Sequence, residues 1–165
     1  MRFVKELPEA EHALDLGCGD GRLSTYIRAR ALTAADVSPV ALKRAADRLP
    51  GAEIAVIEVD APLPFVDGEF ELVLCAETIE HVRDVQLFLS EIRRVLRPGG
   101  GLALTTPAFS RWAALFGDFE DTFDPLSPHL RYFTRKSLGR VLDALGFDVT
   151  SIRRKQGTLL VRATR

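Results

Sequence analysis

The sequence predicts an α/β fold with a mainly parallel sheet, and three observations support this prediction. Short apolar runs alternate with stretches of helical periodicity along most of the chain. The first apolar run leads directly into a glycine-rich turn. An acidic residue lies at the end of each of the first three predicted strands, at the edge where open α/β sheets bind ligands.

The apolar runs define the predicted strands, and a period of about 3.6 residues defines the predicted helices. The predicted strands cover residues 13–16, 31–37, 53–59, 70–74 and 102–105. The predicted helices cover residues 21–30, 39–49, 85–96 and 135–146. Ser38 and Thr134 are suited to cap the helices that follow them. Residues 61–68 contain too much proline and glycine for a full helix.

The chain is predicted to end in a hairpin, and a long connection precedes its last helix. The hairpin strands are 147–153 and 158–163, joined at Gln156-Gly157. Residues 106–133 form the connection, which is rich in aromatic residues and proline. A connection of this length in a compact domain is usually functional. Its aromatic residues either line an apolar pocket for a small molecule or form a small satellite core, and both interpretations stay open.

Composition excludes several classes of protein. A chain of 165 residues with 47% hydrophobic residues and a net charge of −1 can bury one core and carries no electrostatic footprint for nucleic acid. Cys18 and Cys75 show neither a metal-ligand spacing nor a disulfide framework, so we expect no metal site. The N-terminus lacks the apolar segment of a signal peptide, and no apolar run is long enough to span a bilayer. We therefore expect a cytoplasmic protein that does not bind membranes.

The glycine turn is the first motif that indicates a ligand-binding site. Glycines between a strand and a helix let a ligand approach backbone N–H groups. A dinucleotide fingerprint requires G-x-G-x-x-G, but the chain has Gly17-x-Gly19-x-Gly21 followed by Arg22. Arg22 therefore disfavours a nicotinamide-dependent oxidoreductase.

Two carboxylates accompany this turn. Asp36 ends the second predicted strand, 19 residues beyond Gly17, where a carboxylate can accept both hydroxyls of a ribose. Asp60 follows the third predicted strand. Together with the glycines they predict a site for an adenosyl group rather than two isolated acidic residues at strand ends.

With these motifs the chain resembles a known family, the class I S-adenosylmethionine-dependent methyltransferases. Residues 13–24, ALDLGCGDGRLS, resemble motif I of that family, and residues 34–45 resemble the stretch that follows it. Residues 56–82 are similar to the central block of its small-molecule branch, called type 11 or type 12. Residues 91–107 and 129–147 match the later landmarks of the same branch.

The resemblance implies a fold and an activity. The fold is a Rossmann-like three-layer sandwich with a seven-stranded sheet of order 3-2-1-4-5-7-6, whose last strand is antiparallel. Residues 1–165 would form a single domain with a minimal N-terminal extension. The activity is transfer of a methyl group from S-adenosylmethionine to an unidentified small-molecule acceptor, leaving S-adenosylhomocysteine. A non-enzymatic module that binds either molecule is the alternative, and a homo-oligomer is a possible assembly.

The resemblance also implies roles for individual residues. Asp36 would bind the ribose, Val37 would pack on the adenine, Asp60 would accept from the adenine amino group, and the Ala61 N–H would donate to the ring. The residues implied at the methionine end are Asp15, Gly17, Cys18, Gly19, Cys75 and Ala76.

Two histidines are candidate catalytic residues. His81 lies in the loop after the fourth predicted strand and could act as a base for a hydroxyl acceptor, although a role at a helix start is an alternative. Glu77 in the same loop could orient the cofactor or acceptor. His129, in the long connection, is a second candidate base, with anchoring of that loop as its alternative.

Overall fold

The computed structural model describes residues 2–109 and 129–165. The sheet has seven strands in the order β3-β2-β1-β4-β5-β7-β6, with β7 antiparallel to both neighbours. The strands are β1 (Ala10–Leu16), β2 (Ala29–Asp36), β3 (Glu53–Val56), β4 (Phe70–Ala76), β5 (Leu96–Pro107), β6 (Asp148–Lys155) and β7 (Thr158–Thr164). This order confirms the predicted fold.

Helices cover both faces of the sheet. They are α1 (Arg2–Lys5), α2 (Pro39–Arg48), α3 (Val85–Val95) and α4 (Arg135–Ala144). The predicted caps are confirmed, because the Ser38 hydroxyl accepts from the Ala41 N–H and the Thr134 hydroxyl accepts from the Ser137 N–H. In the described ranges, no helix is long and apolar enough to cross a membrane.

The core lies on both sides of the central strand β4. Val73 and Cys75 point into the larger apolar cluster, which also holds residues of α3 and α4. Leu72 and Leu74 point to the opposite face, against α1. This alternation is the period of two expected of a strand buried on both faces, and it produces the three-layer arrangement.

The helix predicted over residues 21–30 is wrong. The chain forms only a short 3-10 turn, Ser24–Tyr26, and β2 begins at Ala29. Gly21 has a φ of +78°, which no α-helix accommodates, so fewer than eight residues remain before the strand. The Ser24 hydroxyl bonds to the Asp15 carboxylate, and this contact holds the short turn against β1.

Strand β3 is also shorter than predicted, ending at Val56 instead of residue 59. Its partner β2 ends at Asp36. The last hydrogen bond between the two segments runs from the Ile57 N–H to the Asp36 carbonyl at 3.1 Å, and β2 offers no backbone acceptor beyond it. Asp60 then adopts a φ of +54° and turns the chain. By contrast, the final hairpin is confirmed, since Gln156 and Gly157 both have the positive φ of a tight primed turn.

The proline-rich link between β3 and β4 is fixed by a salt bridge on α3. Arg94 contacts both carboxylate oxygens of Glu91, at 2.9 and 2.7 Å, and donates to the carbonyls of Leu63 and Phe65. Glu91 is buried and accepts from the Leu63 N–H at 2.8 Å, and its hydrogen bond to Arg94 lowers its pKa. This network replaces the internal hydrogen bonds that a helix would supply to the link.

Replacing Arg94 should therefore destabilise the fold. Arg94→Met leaves the buried Glu91 carboxylate and two link carbonyls without their donor, so we expect the free energy of unfolding to fall by about 2–4 kcal/mol. Arg140→Met, on the exposed surface of α4, is the control and should change it by less than about 0.5 kcal/mol. Urea denaturation measures both values. Equal stability of the two variants would contradict the role of Arg94.

Candidate active site

The glycine turn after β1 brings two loops into close contact. Gly17, Gly19 and Gly21 all have positive φ, at +80°, +55° and +78°. A Cβ atom on Gly17 would overlap the side chain of Thr78, which lies in the loop after β4. Glycine is therefore required at position 17 both for its backbone conformation and for this approach.

The Asp36 carboxylate is held between this turn and the start of α2. Its Oδ2 accepts from the Gly19 N–H at 2.8 Å, and its Oδ1 accepts from the Ser38 N–H at 2.9 Å. A carboxylate has about four lone-pair sites, so these two bonds orient the group and leave capacity for further donors. Asp36 is partly exposed at the end of β2.

A cavity of about 240 Å³ opens beside Asp36 at the carboxyl ends of the parallel strands. Predicted site residues line it together with an apolar wall that sequence reasoning missed. The predicted residues are Gly17, Asp36, Val37, Asp60, Ala61, Glu77 and His81. The apolar wall is Ile57, Leu63, Val82, Leu87 and Phe88. The structure thus brings most of the predicted cofactor residues to one cavity.

Asp60 fixes the far wall of this cavity. Its Oδ1 accepts from the backbone N–H groups of Arg83 and Asp84, at 2.9 and 3.0 Å. Asp84 caps α3 by accepting from the Leu87 N–H. The Asp60 carboxylate therefore ties the end of β3 to the start of α3, a role the sequence did not reveal.

Asp15 lies beneath the site rather than in it. It is 1% exposed, and the described residues that line the cavity do not include it. Its Oδ2 accepts from the Ser24 hydroxyl at 2.5 Å. Burial raises the pKa of this carboxyl to about 6, and the nearby Asp36 charge adds to the rise while the Ser24 hydroxyl opposes it.

The two predicted cysteines are buried thiols. Burial raises the pKa of Cys18 to about 12, and it also raises the pKa of Cys75. Both therefore remain neutral near pH 7, and neither is an activated nucleophile. Any contact they make to a cofactor would come from the backbone, as the resemblance implies.

The loop after β4 separates the first cavity from a larger cleft. Glu77 has a φ of +52°, and its Oε1 accepts from the Thr105 hydroxyl at 2.7 Å. Glu77 borders both cavities, whereas Ala76 borders only the cleft, which has a volume of about 730 Å³. Basic side chains line much of this cleft, namely Arg2, Arg153, Arg154, Lys155 and Arg162.

The two candidate histidines meet although they are 48 positions apart. Their ring centroids lie 4.9 Å apart. The Tyr132 hydroxyl lies 3.5 Å from Nδ1 of His129, and the Leu130 N–H donates to the Glu80 carbonyl, which docks this segment on the loop after β4. His81 is 39% exposed on its side chain and borders the smaller cavity.

Glu80 is a buried acid that sequence reasoning did not single out. Its side chain is fully buried, and its Oε2 accepts from the Thr106 hydroxyl at 2.9 Å. Its Oε1 lies 4.0 Å from Nε2 of His81. Burial raises the pKa of Glu80. In the sequence nothing distinguishes Glu80 from the other polar residues of the run Glu77-Thr78-Ile79-Glu80-His81.

Only the two ends of the aromatic-rich connection can be compared with the prediction, because residues 110–128 lie outside the described residues. Phe133 is buried in the main core, and its carbonyl accepts from the Phe109 N–H at 2.8 Å. At this position the aromatic residue therefore packs in the core.

Comparison with known proteins decides the family. A family model described as a methyltransferase domain matches residues 14–104, more than half of the chain. The chain belongs to the class I S-adenosylmethionine-dependent methyltransferases, in the type 11 branch. S-adenosylmethionine is the cofactor of this family. The left-handed glycine turn, the oriented Asp36 carboxylate and the apolar cavity fit its adenosyl part.

Individual relatives agree with this assignment. An uncharacterised methyltransferase from Synechocystis is 34% identical over 152 residues, covering 84% of this chain and 68% of that protein. A methyltransferase structure from Aquifex aeolicus has a TM-score of 0.76 at 20% identity, covering 97% of this chain and 85% of that one. The [4+2]-cyclase SpnF has a TM-score of 0.81 at 19% identity, covering 99% and 78%. These two structures show the fold alone.

The chain spans about half the length, or less, of several curated relatives that it matches. It spans 51%, 42% and 38% of three curated proteins that it matches. The third of these is the malonyl-[acyl-carrier protein] O-methyltransferase of Salmonella typhimurium, which is 38% identical over 95 residues, or 56% of this chain.

The buried Asp15 carboxyl predicts an unusual pH dependence of stability. Since its pKa is about 6 in the folded protein and near 3.8 in the unfolded chain, the folded state holds the proton more tightly. Between about pH 4 and pH 6, the free energy of unfolding should therefore fall as pH rises. Above this range the ionised carboxyl costs about 3 kcal/mol.

The neutral variant Asp15→Asn removes this cost and can keep an acceptor for Ser24. We expect it to be more stable than the natural protein at pH 7.5 by up to about 3 kcal/mol, and equally stable near pH 3.5. Asp47→Asn, an exposed position on α2, is the control. Urea denaturation at several pH values measures this, and a less stable Asp15→Asn at pH 7.5 would refute the prediction.

Proposed function

We propose that the protein binds S-adenosylmethionine across the cavity beside Asp36 and transfers its methyl group to a small-molecule acceptor. The observation that carries this proposal is the Asp36 carboxylate, which the Gly19 and Ser38 N–H groups hold at the mouth of an apolar cavity. Ribose hydroxyls are suitable donors for such a carboxylate.

The adenosine half would occupy the 240 Å³ cavity. Asp36 would bind the ribose, and Val37, which is 48% exposed, would pack against one face of the adenine. Asp60 keeps lone pairs beyond its two backbone contacts and would accept from the adenine amino group. The Ala61 N–H would donate to the ring.

The methionine half would extend past the glycine turn towards Glu77. The backbone of Gly17, Cys18 and Gly19 would hold it on one side, and the backbone at Cys75 and Ala76 would accept from its amino group on the other. Glu77, at the junction of the two cavities, would orient this end. Asp15 would act from below by supplying negative charge when ionised.

When bound, the cofactor supplies a methyl group that is already electrophilic. The chain then has to place an acceptor in line with this methyl and keep water away, and such positioning can contribute on the order of 7–11 kcal/mol. His81 borders the cavity and is the candidate base for an acceptor hydroxyl, with His129 beside it.

The net charge supports a small-molecule acceptor, and the name of one relative bears on the acceptor atom. The net charge of −1 offers no footprint for nucleic acid. The matching Salmonella protein is named as an O-methyltransferase, which favours an oxygen acceptor here, although nitrogen and carbon acceptors stay open. A cytoplasmic location and a homo-oligomer stay predictions.

Binding of the cofactor product tests the proposed site. Asp36→Ala removes the ribose acceptor, so we expect the Kd for S-adenosylhomocysteine to rise at least about 30-fold, a loss of about 2 kcal/mol. Asp47→Ala, an exposed acid on α2, should leave Kd within about twofold. Isothermal titration calorimetry measures both. Equal Kd values for the two variants would reject the proposed cofactor position.

Turnover tests the histidines. His81→Ala and His129→Ala should each lower the release of S-adenosylhomocysteine by about 100-fold or more with a panel of small hydroxyl compounds, while S-adenosylhomocysteine still binds to both variants. Unchanged turnover in both variants would refute a role for the pair. Cofactor binding without turnover by the natural protein on the whole panel would favour the non-enzymatic module.

A further inference from the structure

Three side chains with metal-binding atoms converge next to the cavity. They are Glu80, His81 and His129, and one ligand atom from each lies within 4.8 Å of the others. Glu80 and His81 come from the loop after β4, whereas His129 comes from the segment that precedes α4. The tertiary fold therefore assembles the group, and local sequence spacing does not reveal it.

One buried oxygen in this group lacks a hydrogen-bond donor among the described residues. Within the described residues, Oε1 of Glu80 is buried and has no hydrogen-bond partner. Nε2 of His81 lies 4.0 Å from this oxygen, which is beyond hydrogen-bonding distance. A buried acceptor without a donor costs about 1–3 kcal/mol. A cation held by Glu80 and the histidines would remove this cost.

The donor set selects the kind of cation. Two imidazoles and one carboxylate form the ligand set of catalytic zinc sites and of other first-row metal sites with open positions. Ligands about 2.1 Å from such an ion lie roughly 3–3.5 Å apart. The present ligand atoms lie within 4.8 Å of one another, so metal binding would draw them closer together.

Neighbouring groups already orient the ligands. The Thr106 hydroxyl donates to Oε2 of Glu80 and leaves Oε1 directed at the histidines. The Tyr132 hydroxyl lies 3.5 Å from Nδ1 of His129 and contributes to the orientation of that ring. Outer contacts of this kind are typical of metal sites, where they fix ligand orientation.

We propose that Glu80, His81 and His129 bind one divalent transition-metal ion of the zinc type and leave coordination positions open for a further ligand. This revises the expectation of no metal site, which rested on the cysteine spacing. Resting on the proposed function, the ion would bind the acceptor oxygen and lower the pKa of its hydroxyl, so that the proton leaves to solvent water without a histidine base. The oxygen would then form the bond to the methyl group as the S–CH3 bond breaks and S-adenosylhomocysteine leaves. The acceptor class would then be a hydroxyl compound.

Metal binding can be measured without cofactor or acceptor. The full chain is freed of metal with a chelator, dialysed, and titrated with Co²⁺, whose visible absorption reports coordination, and with Zn²⁺ by calorimetry. We expect one ion per chain. Glu80→Gln, His81→Asn and His129→Asn should each weaken binding at least about 30-fold. His12→Asn alters the third histidine, on β1, and should bind as the natural protein does.

The outcomes separate this inference from the proposed function. No Co²⁺ binding by the natural protein, or binding by the three site variants equal to that of His12→Asn, overturns the metal site. Titration of the same samples with S-adenosylhomocysteine tests the cofactor site independently, so metal binding without cofactor binding rejects the proposed function alone. If Glu80→Gln does not fold, the two histidine variants decide the result.

Discussion

Both oxygens of the Asp36 carboxylate accept backbone N–H groups, one from Gly19 and one from Ser38. This single side chain joins the turn after β1 to the N-terminus of α2. With the turn fixed, Gly17 can approach Thr78 closely enough that no side chain fits between them. The positions of three strand ends, and the cavity between them, depend on this arrangement. The residue predicted to bind the ribose therefore also stabilises the structure of the site.

Local chemistry explains which features could be predicted from the sequence. Ser38 and Thr134 cap their helices because a hydroxyl before a helix satisfies a free N–H group wherever it occurs. The turn at Gln156-Gly157 needs only two residues that tolerate positive φ. The positions of Asp36 and Asp60 follow from the rule that parallel strands end at one edge. The strand order came from the family resemblance, since periodicity alone does not determine pairing.

Features that depend on contacts distant in sequence could not be predicted. Leu23, Tyr26 and Ile27 do have helical spacing, but the Ser24 contact to the buried Asp15 and the early start of β2 leave room only for one short turn. Likewise, periodicity cannot show that a segment 48 residues away docks beside the loop after β4 and brings two histidine rings together. The buried Glu80 between them becomes noticeable only in the folded chain.

The buried Asp15 has a consequence for how protons and ligands interact. A carboxyl with a pKa near 6 is partly protonated in mildly acidic solution, so it responds to any charge placed next to it. A ligand that carries positive charge, as a sulfonium does, favours the ionised form and expels the proton. By reciprocity, removing the proton strengthens the hold on that ligand. If such a ligand binds at the glycine turn, it would compete with the proton on Asp15, so that acidity and occupancy of the proposed site would be linked.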